Sequence, residues 1–420
     1  MRKKLIGIGA VVLVLALLLT LAPACGNGEE ERTPTPGVTP TPGVTPTPTP
    51  EVKTLKIGAL CALSGFAAAW GTAHELGAKI AAEDINDAGG IKVGTDTYMI
   101  KIVSCDTKYM AGEAAECAAR MIYDEKVKFV IGGIGTADAT RGAFNDAKVL
   151  NLYLSTLRID PEQYYVFNAN VDVDAWNGSW IQQAYDAHPE VKTIAVINPE
   201  AVGGHQWADA YKAFAPLYGQ TVVATEFYTY GTTDFYPILT KMLAKNPDAI
   251  SLAGSPAGDQ VLMTKQAREL GFTGWIQHPA PVPLALLKAS MPDSYLYNIA
   301  TNEEVFSEPI FTQSVRDLNE RVVAEYIKAG ETMNCCTIHG YSHVVGIATA
   351  IEQAGSIDVD EVVKVMEDPD FRFNRIYVEN AKIGGFETFG VRRQWPHFQA
   401  YSEIQDGVIT ALKAQIVETP

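Results

Sequence analysis

From residue 54 to residue 278, short apolar runs rich in β-branched residues alternate with amphipathic helical patterns, and this alternation limits the chain to parallel βα units. The first runs are TLKIGALC (54–61), YMIKIVSC (98–105), KFVIGGI (128–134) and LNLYLS (150–155). A second set follows as KTIAVIN (192–198), TVVATEFY (221–228), DAISLAG (248–254) and WIQH (275–278). Corresponding members lie about 120 to 137 residues apart, so the chain reads as one α/β unit built twice. The repeat is one of architecture, not of residue identity.

The segment after the first run shows how the helices are read. Thr72 and Glu75 have the spacing of a T-x-x-E capping box. Gly77, Ile80, Ala81 and Ile85 then share a face opposite Lys79, Glu83 and Asn86, and Gly89-Gly90 can end the helix in a left-handed turn. Beyond Thr301, helical patterns are expected over 308–328, 339–354 and 358–367, with strand-like pieces near 374–378 and 397–409. Two α/β lobes whose strand ends face each other enclose a cleft, and open parallel sheets bind ligands at those ends. A small molecule held between lobes is the expectation.

The first fifty residues belong to neither lobe. Arg2, Lys3 and Lys4 precede an apolar run from Leu5 to Ala22, and Ala22-Pro23-Ala24 suits cleavage before Cys25. The same spot resembles a bacterial lipoprotein signal, which would make Cys25 the lipidated first residue. Plain secretion and an uncleaved membrane helix are the alternatives, and all three place residue 26 onward outside the cytoplasm. Residues 33–50 hold seven Pro and seven Thr, with TPTPGV twice in tandem. Proline lacks an amide donor and fixes φ, so this segment is an extended spacer of roughly 55 Å when straight. The organisation read from this is 1–24 signal peptide and 25–52 lipid-anchored stalk.

A formal charge of −16 argues against nucleic acid and against adhesion to anionic lipid. Five cysteines follow Cys25, an odd number for an oxidising compartment. Cys61 and Cys105, near the ends of the first two runs, are a candidate disulfide if those strands are neighbours. Cys117 has no assigned partner, and the vicinal Cys335-Cys336 is read as two buried thiols. No CxxC or zinc-like spacing occurs, and no metal is expected.

The stretch IGALCALSGFAAAWGTAHELGAKIAAEDINDAGGI (57–91) resembles the opening of type I periplasmic binding proteins of the leucine/isoleucine/valine-binding branch. The resemblance continues through VKFVIGGIGTADATRGAF (127–144) and VLNLYLST (149–156), and more loosely to FGVRRQWPHFQAYSEIQDGVI (389–409). It implies two doubly wound parallel-sheet lobes joined by a three-segment hinge, with crossovers near residues 170, 302 and 370. Lobe 1 is then 53–170 plus 303–369, and lobe 2 is 171–302 plus 370–420. It also implies an importer partner, an ABC permease, with closure of the lobes on a solute.

Carried onto this chain, the resemblance puts a carboxylate cradle at Gly135, Thr136 and Ala137, further donors at Ser155 and Thr156, and an aromatic wall at Trp70. In the second lobe the matching positions are Ser255 and His278, where no carboxylate stands to meet an ammonium group. A buried unpaired ammonium is costly, so Asp172, Asp174 or Glu200 must substitute if the solute is an amino acid. Asp174 and Tyr341 complete the candidate set. A branched or aromatic acid or a neutral amide fits the pattern as well.

Other chemistries fare poorly. After Gly133 and Gly135 a dinucleotide loop needs a third glycine where Asp138 stands, so no cofactor is expected. His339 and His343 share a helical spacing, but no carboxylate joins them, so they are read as pocket lining or capping residues and not as metal ligands. No G-x-S-x-G, P-loop or H-E-x-x-H is present. An enzyme is therefore not expected, and a receptor of the same fold is the alternative to a transport protein.

Overall fold

The computed structural model describes residues 51–326 and 333–419. The signal and spacer readings, including Cys25, lie outside the described residues. Among those described, no helix is long and apolar enough to cross a membrane.

Two sheets organise the chain. The first is built from β1 (Val52–Cys61), β2 (Ile91–Val93), β3 (Asp96–Asp106), β4 (Phe129–Gly132), β5 (Leu150–Tyr153) and β6 (Val166–Asn168) in the order β2-β3-β1-β4-β5-β6. The second takes β7 (Thr193–Pro199), β8 (Thr221–Tyr228), β9 (Ala249–Ser251), β10 (Trp275–His278) and β11 (Ile299–Thr301). A short hairpin, β12 (Phe373–Arg375) with β13 (Val378–Ala381), precedes the last two strands, β14 (His397–Gln405) and β15 (Val408–Val417). The second sheet runs β15-β14-β11-β10-β9-β7-β8, parallel except for its last two strands. Alternation along β1 explains why both faces of the first sheet are covered. Ile57, Ala59 and Cys61 enter one core with helices Ala68–Asp87 and Cys335–Ala354, while Leu60 enters another with Met121 and Phe144. The architecture is α/β, two lobes with doubly wound, mainly parallel sheets.

Helices Ala68–Asp87 and Cys335–Ala354 cross at two glycines. A Cβ on Gly77 would lie 1.9 Å from the Thr337 carbonyl oxygen, and one on Gly340 would lie 2.0 Å from that of His74. Only hydrogen at these two positions lets the backbones approach so closely. The crossing brings the start of the later helix, with Cys335, Cys336 and His339, to the inter-lobe space.

Several expectations are corrected. The first helix begins at Ala68, so Thr72 is no N-cap: its hydroxyl donates to Ala68 O at 2.7 Å, and Glu75 pairs with Lys79. The Cys61–Cys105 bridge does not form. In the β1–β3 register Leu60 faces Cys105 and Cys61 faces Asp106, and a one-residue offset sends the two side chains to opposite faces. Cys105 instead bonds Cys117, on the helix covering its own face, and Cys61 is buried beside His74. The helix expected over 308–328 is Gln313–Glu325. The chain leaves the first sheet after β6 and the parallel part of the second after β11. Phe371, Phe373, Ala381, Ile383 and Trp395 all pack in the first-lobe core, which holds the chain there well past residue 370.

Candidate functional site

Between the lobes lies a cavity of about 130 Å3, walled at the carboxyl ends of strands from both sheets. The first lobe contributes Trp70, Tyr109, Gly135 and Ser155, from segments that follow β1, β3, β4 and β5. Facing them are Gly203, Tyr230, Gly254 and Ala280, after β7, β8, β9 and β10. Parallel strands all point the same way, so their ends converge where the strand order reverses, between β1 and β4 and between β7 and β9.

Contacts across the gap show the lobes drawn together. Trp70 Nε1 donates to Pro281 O at 3.0 Å, and Trp207 Nε1 donates to Thr156 Oγ1 at 2.9 Å. Phe66 stacks on Tyr230 at 5.8 Å, and Tyr109 meets the same ring edge-on at 5.6 Å. Gly135 is required beneath this aromatic group, because it has φ +68 and a Cβ there would lie 2.0 Å from the Tyr109 ring. Burial pushes the phenol pKa of Tyr109 and Tyr230 up, so both are neutral hydroxyls.

Of the residues singled out from the sequence, Trp70, Gly135, Ser155 and Thr156 line the cavity together. Thr136 and Ala137 start the helix behind it and are buried, with Thr136 Oγ1 lacking a partner. Ser255 and His278 are buried behind the second-lobe wall. His278 Nε2 meets Thr264 Oγ1 at 2.8 Å, and burial depresses its pKa to about 3. Asp174 is held by Arg158 through two contacts of 2.8 Å. Tyr341 donates to Asp84 at 2.9 Å on another part of the first lobe. The substitutes proposed for an ammonium partner are occupied as well: Asp172 caps helix Val173–Ala187, and Glu200 meets His205 at 2.7 Å.

Sequence reasoning missed Tyr109, Tyr230, Asp138, Asn170 and His397, all of which line the cavity, as does His339. Tyr230 is an aromatic residue just past the end of β8, and that signal would have found it. Asp138 is the one carboxylate among the described lining residues. Behind the second-lobe wall, burial raises the Asp259 carboxyl to about 6 even though Tyr228 donates to it at 2.8 Å. Among the described residues no group of three or more His, Cys, Asp or Glu is arranged to hold a metal.

A family described as periplasmic binding protein matches residues 54–387, which runs from β1 past β13 and takes in every described cavity-lining residue but His397. The chain belongs to this family. As a periplasmic binding protein it is similar to the leucine-, isoleucine-, valine-, threonine- and alanine-binding protein of Pseudomonas aeruginosa, 24% identical over 86% of this chain and 92% of that one. A Leu/Ile/Val-binding protein homologue of Brucella melitensis is 26% identical over 75% of this chain and 83% of its own length. Among solved structures, the branched-chain amino acid binding protein LivJ of Streptococcus pneumoniae, in complex with isoleucine, superposes with TM-score 0.70 at 22% identity, covering 87% of this chain and 99% of that one. A solute-binding protein of Rhodopseudomonas palustris in complex with 3,4-dihydroxybenzoic acid gives the same TM-score at 18% identity, over 87% and 98%. These structural likenesses speak for the fold of the periplasmic binding protein, two lobes around one cleft.

Proposed function

We propose that this protein is the extracytoplasmic solute-binding component of an ABC importer, which captures a small carboxylate or amide between its lobes and presents it to the permease. The observation that carries this reading is the cavity itself, walled by strand ends of both sheets and bridged by Trp70, Trp207 and Tyr230. A site made of both lobes exists in full only when they meet, so solute binding and closure are one event. Relatives that bind branched-chain amino acids or an aromatic acid bracket the size of the solute. In this reading Cys25 carries a lipid, and the Thr/Pro segment holds the folded body away from the membrane.

A thermal-shift screen tests it, since a ligand of the native state alone raises the melting temperature. The panel is leucine, isoleucine, valine, threonine, alanine, their amides and hydroxybenzoates. At least one is expected to raise the melting temperature by several degrees, with one-to-one stoichiometry by calorimetry and no chemical conversion. Turnover of a bound compound would overturn the reading. Mass spectrometry of the membrane fraction tests the anchor: an unmodified Cys25 peptide would refute it.

A further inference from the structure

Arg375 is 2% exposed, and among the described residues it has no ion-pair partner. Its guanidinium lies 4.8 Å from the Tyr377 ring and 5.4 Å from that of Trp395. Nη1 donates to Pro396 O, Nη2 meets His339 Nδ1 at 3.1 Å, and Nε has no partner. A guanidinium only donates, so Nδ1 of His339 must hold a lone pair, and the proton of this neutral ring sits on Nε2. The buried cation thus fixes the tautomer of an imidazole that lines the cavity. His397 stacks on His339 with centroids 5.0 Å apart and planes 4° from parallel. It lines the cavity too, is 1% exposed, and has no hydrogen bond at either ring nitrogen. The acid that shares a small neighbouring cavity with His339 and Tyr377 is Glu304, and burial holds it protonated, so it does not offset the guanidinium.

Resting on the transport reading above, we propose that the anion anchor of this site is the His339–His397 pair backed by Arg375, rather than the Gly135–Ala137 turn. The solute it selects carries a carboxylate, which accepts hydrogen bonds from His339 Nε2 and from one nitrogen of His397. Asp138 argues in the same direction: an acid at the start of helix Ala137–Asp146 disfavours a carboxylate at that end of the cavity. The site gains a counter-ion for a charge that is otherwise buried alone, which makes the carboxylate a condition of tight binding.

Matched acid and amide pairs test this by calorimetry: leucine with leucinamide, threonine with threoninamide, and 3,4-dihydroxybenzoate with its amide. The expected result is at least a 30-fold preference of the parent protein for the best acid over its amide. In His397→Phe this ratio falls to within 3-fold. His397→Gln, which retains a donor, recovers part of the preference and guards against a merely structural effect, with folding of each variant checked by thermal melt. An acid preference that survives in His397→Phe, or an amide that binds the parent as well as its acid, overturns the anchor and leaves the transport reading standing. Failure of every acid and amide to bind the folded parent overturns both.

Discussion

At the scale of single residues, the site is decided by groups whose polar atoms have one partner or none. Trp70 donates to Pro281 only while the lobes touch. Trp70→Phe keeps the ring contact and removes the donor, which is worth about 1 kcal/mol net. The affinity for the solute found by screening should fall roughly five-fold in calorimetry, with the ligand-free melting point unchanged; an unaltered affinity would remove the bond from the closed state. Glu303 has the opposite character, because burial lifts its carboxyl to about 8. In the unfolded chain it ionises near pH 4.3, so between that value and pH 8 the unfolded state alone loses its proton. Stability from this group is therefore full at acid pH and is lost as pH rises through about 8, at a cost on the order of 3 kcal/mol by pH 7. Glu303→Gln should be more stable than the parent in urea melts, by a margin that widens from pH 5 to pH 8. A constant margin would show that Glu303 does not titrate abnormally. On the acid side, His74 and His278, both depressed to about 3 by burial, withdraw stability as pH falls below about 6.5.

Elements were legible in the sequence where local pattern decides them. TVVATEFY and WIQH form strands over the spans read from their β-branched and aromatic content. Of the five three-residue strands described, β2, β6 and β11 were not, because no apolar run marks them and only their neighbours in the sheet make them strands. The first helix started early because Ala67 and Trp70 pack into the inter-lobe core, which outweighs the capping pattern at Thr72. The disulfide failed on a single residue of register, a quantity that spacing along the chain does not contain. The helix crossing at Gly77 and Gly340 gives an element-scale prediction. Gly340→Ala places a methyl against the His74 carbonyl, and the two helices must separate. Overpacking of this kind costs about 1–3 kcal/mol. The melting temperature should drop by about 2–4 °C or more, and an unchanged value would mean that the helices are not in close contact.

For the whole molecule, two lobes and a cleft followed from the doubled βα pattern, while Trp70, Gly135 and Ser155 came from the resemblance to a known family. The grouping of His339 and His397 in the cavity with Arg375 behind them was illegible, because the three come from a helix, a strand and a short hairpin that no spacing relates. Contacts such as Gly258 N with Phe66 O at 3.3 Å join the lobes, whereas entry of a solute requires them to part. Small-angle scattering should show a smaller radius of gyration with saturating ligand than without it; equal radii would rule out hinge closure. Trp70, Trp176 and Trp207, half of the six tryptophans in the chain, stand in the cavity wall. Occupancy therefore changes the surroundings of half the indoles at once, and the protein's own ultraviolet emission becomes a label-free gauge of which solutes it accepts.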